Sequence, residues 1–165
     1  MVDHSKNRYE NTNQLISDRG CNSDVIVGAG LLSSGRGICV KLGPRMLLVD
    51  DEPTICRAIS RCFPQFRTTI AESGRHALER VKAADFDVVV CDVSLPDICG
   101  ADLHDYMLAI RPSLLGRIVM MTGGPRNDEA RHFLTRRDVV VLRKPFGPEH
   151  IRRAVADRLR QPLAS

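Results

Sequence analysis

The residues best equipped for chemistry are a few carboxylates, one hydroxyl and one lysine, each standing at the end of an apolar run. The run 46–49 delivers two adjacent aspartates, Asp50 and Asp51, before the chain turns through Pro53. Asp92 follows "FDVVVC", Thr122 ends "RIVMMT", and Lys144 comes just after "VVVL". Like charges side by side repel, and a carboxylate at the rim of an apolar core is costly unless a cation meets it. Hard oxygen ligands with positions left for water suit Mg²⁺, which takes few protein carboxylates and completes its shell with water and phosphate oxygens. A carboxylate can also attack phosphorus to make an acyl phosphate. Phosphoryl transfer has a loose transition state, so most of the help is positioning and charge neutralisation. Mg²⁺ would cover some phosphoryl oxygens, the Lys144 ammonium another, and the Thr122 hydroxyl would donate to a third.

Such a site needs a scaffold that brings distant strand ends together. From position 45 onward short apolar runs alternate with amphipathic stretches, which predicts a parallel sheet covered on both faces by helices. The predicted strands are 46–49, 66–71, 86–91, 117–122 and 139–142. Ile55, Ile59 and Cys62 share a helical face after Pro53, whose missing N–H is not needed in a first helical turn. Ala77 and Val81 mark the second helix, Leu103, Met107 and Ile110 the third, Ala130, Phe133 and Leu134 the fourth, and Ile151, Val155 and Leu159 the fifth. Strict alternation makes a doubly wound five-stranded α/β domain, (βα)5, over residues 45–161. Ligands of such sheets bind outside the carboxyl ends of the strands, the edge on which all five residues fall. Singly, Asp51 reads as a helix cap, Lys144 as a surface lysine and Thr122 as a turn residue. Their common placement argues for one site.

The chain has 165 residues, 43% of them apolar, enough for one ordinary domain and a tail. A formal charge of +4, from 24 Lys and Arg against 20 Asp and Glu, is too mild and dispersed to indicate direct nucleic-acid binding. No apolar run reaches the roughly 20 residues of a membrane span, and the start "MVDHSKNRYENTN" lacks the apolar stretch of a secretory signal. A soluble, cytoplasmic protein with no membrane partner is expected. Six cysteines without a C-x-x-C pair fit neither a zinc site nor a disulfide framework, so reduced, mostly buried thiols are expected. Residues 1–44 are rich in Asn, Ser and Gly and are expected to form a disordered or loosely docked tail; 162–165 form a short second one. Within the first tail, "DVIVGAGLL" resembles the start of a dinucleotide site, but Ser33 stands at the third glycine position and no crossover helix fits behind it. His76, His104 and His132 lack metal-binding spacing and are expected at the surface or an interface. Arg152, Arg153, Arg158 and Arg160 are expected on a solvated face.

The pair Asp50 and Asp51, the D-x-x-x-P-x-x-x-G run from Asp92 through Pro96 to Gly100, Thr122, and the K-P-F of Lys144, Pro145 and Phe146 together resemble the receiver domain of response regulators in two-component phosphorelays. The tract 121–146 is also similar to receivers attached to hybrid sensor kinases. The resemblance implies a flavodoxin-like sheet in order 2-1-3-4-5 and Asp92 as the phosphoacceptor, with Thr122 and Lys144 assisting. It further implies Mg²⁺ held by Asp51, Asp92 and the main-chain carbonyl of Ser94, with Asp50 reaching it mainly through water. The phosphodonor would be a sensor histidine kinase or a histidine phosphotransfer protein. Output would run through protein contact or phosphate relay, without a DNA-binding domain of its own and without turnover of a small molecule; a homodimer is compatible with this.

The sequence departs from the family at Val141, where receivers carry Tyr or Phe three residues before the lysine, an aromatic that moves inward when the threonine is drawn to the phosphoryl group. Without that lever, either backbone shifts of the 122–125 loop drive the output surface, eased by Gly123 and Gly124, or phosphate passes onward with little switching. Two other readings compete. A phosphohydrolase of the haloacid dehalogenase type uses the same Asp, Thr, Lys and Mg²⁺ chemistry, but its nucleophile lies in a D-x-D motif after the first strand and its acidic pair comes late. A degenerate module would keep the fold without being phosphorylated, yet here all five site residues are intact.

Overall fold

A computed structural model describes residues 43–125 and 128–160. The readings made for residues 1–42, including the dinucleotide-like run, and for the last residues of the chain lie outside the described residues.

Five parallel strands form one sheet: β1 (Arg45–Val49), β2 (Arg67–Ala71), β3 (Val88–Asp92), β4 (Ile118–Thr122) and β5 (Val140–Arg143). Their order is β2-β1-β3-β4-β5, as the family resemblance implied. The helices between and after them are α1 (Pro53–Arg61), α2 (Gly74–Ala83), α3 (Gly100–Ile110), α4 (Asp128–Leu134) and α5 (Pro148–Arg160), with a 3₁₀ turn at Pro112–Leu114.

Alternate side chains of a strand point to opposite faces, and here both faces are covered. Leu47 and Val49 of β1 join Ala77, Val81, Leu103, Met107 and Phe133 on the side of α2, α3 and α4. Met46 and Leu48 join Cys56, Ile59, Phe63, Ile151 and Val155 on the side of α1 and α5. This explains why β1, β3 and β4 read as continuous apolar runs: each fully buried Leu or Val contributes about 1.5–3 kcal/mol relative to an exposed one. Among the described residues no helix is long and apolar enough to cross a membrane.

Strand boundaries differ from the predicted ones by one or two residues. The largest difference is at β3, which starts at Val88 and includes Asp92. Ahead of it Asp87 turns its carboxyl to the Arg45 N–H at 2.7 Å, closing the ladder with a side chain.

The register fixes the site. Val49 lies beside Ala71 and Cys91, Asp92 beside Met121, and Thr122 beside Arg143. Asp50, Asp92, Thr122 and Lys144 therefore reach the same sheet edge.

Candidate functional site

Asp50 follows the last residue of β1 and is fully buried, while Asp92 ends β3 at 5% exposure. Between them stands Lys144, the first residue after β5. Its Nζ is 3.1 Å from Asp50 Oδ2 and 2.9 Å from Asp92 Oδ1. The remaining carboxyl oxygens are used locally: Asp50 Oδ1 accepts the Glu52 N–H at 2.9 Å, and Asp92 Oδ2 accepts the Ser94 N–H at 3.0 Å. Asp50 thus helps to start α1, whose N-cap, Glu52, offers no side-chain cap. Burial works against the Lys144 charge, but hydrogen bonds to Asp92 and Asp50 outweigh it and hold the amine above the usual lysine value.

Thr122 ends β4, buried at 1% exposure. Its Oγ1 accepts the Gly124 N–H at 3.0 Å, and its main-chain oxygen accepts the Lys144 N–H at 2.7 Å. The structure therefore ties Thr122 to Lys144 through the backbone, while the hydroxyl is engaged in its own loop. Asp51 is exposed and has no side-chain hydrogen bond among the described residues. Asp50, Asp92 and Lys144 are in direct contact, Ser94 joins through Asp92, and Thr122 and Asp51 stand at the same edge.

Two buried carboxyl groups share one ammonium, so the pocket offers hard oxygen donors. That donor set fits Mg²⁺. No group of three or more Asp, Glu, His or Cys side chains among the described residues encloses a metal by itself. An ion that retains several waters asks for no such cage.

The family model for the response regulator receiver domain matches residues 46–156. The chain belongs to this family. The receiver domain is a module of phosphorelay signalling, and its fold is the one seen here.

Relatives of the chain include the transcriptional regulatory protein TcrA of Mycobacterium tuberculosis, 32% identical over 110 residues, covering 56% of this chain and 44% of TcrA. The transcriptional activator protein PfeR of Pseudomonas aeruginosa is 32% identical over 132 residues, covering 73% of this chain and 41% of PfeR. The chain spans less than half the length of either. Among solved structures, a CheY-like receiver domain from Methanospirillum hungatei JF-1 superposes with a TM-score of 0.64 at 23% identity, covering 71% of this chain and 94% of that one. The receiver domain of sensor histidine kinase PA1611 from Pseudomonas aeruginosa, which holds a magnesium ion in its active-site cleft, gives 0.62 at 21% identity, covering 71% and 98%.

Other expectations for the receiver domain fare differently. Cys56 and Cys91 are buried, as expected of most of the thiols, but Cys62 is half-buried and Cys99 exposed. The Cys56 thiol is pushed up to about 11, first by burial and then by Asp50 and Glu72, and burial also raises Cys91. Both are poor nucleophiles. His104 corrects the surface expectation: it is 3% exposed, packed edge-on against Phe133 with ring centroids 5.4 Å apart. Its Nδ1 lies 2.9 Å from Asp105 Oδ1. The position i+1 to Leu103 gives no periodic signal for burial, because α4 and not the sheet covers it. Asp97 was missed for a related reason: its carboxylate serves α2, far away in sequence.

Proposed function

We propose that the chain is a phosphoacceptor module in which Asp92 takes a phosphoryl group from a phosphohistidine of a sensor histidine kinase or histidine phosphotransfer protein in the cytoplasm. A carboxylate oxygen of Asp92 forms the new bond to phosphorus while the P–N bond to the donor imidazole breaks, and the imidazole leaves with the electron pair and takes up a proton. The observation that carries this reading is the Lys144 ammonium bridging Asp50 and Asp92, at 3.1 and 2.9 Å. A cation in contact with the attacking group is placed to neutralise a phosphoryl oxygen as charge is transferred.

Asp51, Asp92 and the Ser94 carbonyl would hold Mg²⁺, with Asp50 reaching it through water. When bound, this ion supplies charge neutralisation for the phosphoryl oxygens. Thr122, released from Gly124, would donate its hydroxyl to the phosphorylated Asp92, and the added negative charge biases the 122–125 loop between two arrangements. The product signals by protein contact or by passing the phosphoryl group onward. The chain consumes one donor per event and does not turn over small phosphate esters.

Acetyl phosphate with Mg²⁺ should add one phosphoryl mass to the intact chain. Chelation of Mg²⁺ or the substitution Asp92→Asn should abolish the addition. Unchanged mass for the wild-type chain would support the degenerate module instead.

A further inference from the structure

The loop that leaves Asp92 does not simply lead into α3; its middle reaches across to the start of α2. Asp97 Oδ1 accepts the Gly74 N–H at 2.9 Å, and Oδ2 accepts the Arg75 N–H at 2.9 Å. The helix's own cap, Ser73, serves only the His76 N–H, at 3.2 Å. The first two orphan amides of α2 are therefore satisfied by a carboxylate borrowed from the phosphoacceptor loop, in a charge-assisted geometry that also favours the helix dipole.

Packing reinforces the link. A methyl group placed on Gly74 would come within 3.0 Å of Ile98 Cβ, so the approach of Ile98 depends on that glycine. One placed on Gly100 would fall 2.7 Å from Val93 Cα. The loop is thus fixed by Ser94 on Asp92, by Asp97 and Ile98 on α2, and by Gly100 on Val93. The slight burial of Asp97 works to raise its carboxyl, but the bonds from Arg75 and Gly74 outweigh it and hold the group below the usual carboxylate range.

We infer that Asp97 is a positioning residue: it locks the loop that carries Ser94, whose N–H is held on Asp92, and so couples the first turn of α2 to occupancy of the site. This rests on the proposed roles of Asp92 and Ser94. A loop ordered in advance binds an ion without first losing its freedom, and by linkage an ion that orders the loop tightens the clamp equally.

Mg²⁺ titration calorimetry on the full chain tests it, with amide hydrogen exchange as a second readout. Asp97→Ala should weaken Mg²⁺ binding about tenfold, the scale seen when support behind a metal ligand is lost. Asp97→Asn, which keeps one accepting oxygen, should lose less. Ser73→Ala removes a cap from the same helix but leaves the Asp97 carboxylate in place, and should lower the melting temperature while weakening Mg²⁺ binding far less than Asp97→Ala does. In the wild-type chain, exchange at the Gly74 and Arg75 amides should slow when Mg²⁺ is added, a result that stands even if Asp97→Ala fails to fold. Normal affinity in Asp97→Ala, equal weakening by Ser73→Ala, or exchange at those amides indifferent to Mg²⁺ overturns the inference alone. A wild-type chain that binds no Mg²⁺ overturns the reading of the site, and the inference with it.

Discussion

Lys144 Nζ lies 2.9 Å from Asp92 Oδ1, and this one contact joins the end of β3 to the end of β5 across the intervening β4. With Asp50 on its other side, the ammonium is what allows two carboxyl groups to remain buried together. Lys144→Ala leaves both without a cation, and the expected loss is about 1–3 kcal/mol, below the range for fully buried pairs because the amine is partly exposed. Urea denaturation with chelator and with Mg²⁺ checks this: the loss should be smaller with Mg²⁺ if the ion binds at the proposed site and takes the place of the missing charge.

The pH dependence follows from the directions of the shifts. Lys144 binds its proton more tightly folded than unfolded, so its contribution is complete at neutral pH and is lost above about pH 10.4 as pH rises through the higher folded value. Asp105 is lowered, first by its hydrogen bond with His104, and Asp138 first by its bond with Arg136. Their stabilisation is present above about pH 3.9 and is lost as pH falls through the lower folded values. Thermal unfolding across pH should therefore weaken at both extremes. The acid limb should shrink in Asp105→Asn, modestly, since these carboxylates are solvent-exposed.

His104→Ala removes a buried ring between α3 and α4 together with its edge contact to Phe133. The expected loss is about 1–3 kcal/mol, most of it from the cavity. His104→Phe keeps the packing and gives up only the bond to Asp105, so it should lose less. Denaturant midpoints of the two variants give the order.

At Gly100 an added Cβ would sit 2.7 Å from Val93 Cα and 2.8 Å from the Val93 carbonyl oxygen, both backbone atoms that cannot turn aside. Gly100→Ala should cost about 1–3 kcal/mol and displace the Asp92 loop. The amide chemical shifts of residues 93–99 should move with the loss of stability.

Much of this fold was legible in the sequence because parallel strands buried on two faces leave unmistakable apolar runs, and the helices between them repeat at helical spacing. The site was legible because Asp50, Asp92, Thr122 and Lys144 each stand at a strand end, which converts positions along the chain into positions on one edge. What escaped was set by contacts between covering elements. His104 is hidden by α4, and Asp97 serves the start of α2; neither partner is near in sequence, and neither contact leaves a period. The aromatic lever absent at Val141 was visible from its residue type alone, and in the structure Val141 packs half-buried against the core on the α2, α3 and α4 side.

The most direct measurement is the location of the phosphoryl group. After reaction of the full chain with acetyl phosphate and Mg²⁺, borohydride reduction traps an acyl phosphate, and peptide mass mapping identifies the residue. The expected result is a single Mg²⁺-dependent modification at Asp92, absent from Asp92→Asn. Modification at another residue, or persistence in Asp92→Asn, would contradict the assignment of Asp92 as phosphoacceptor.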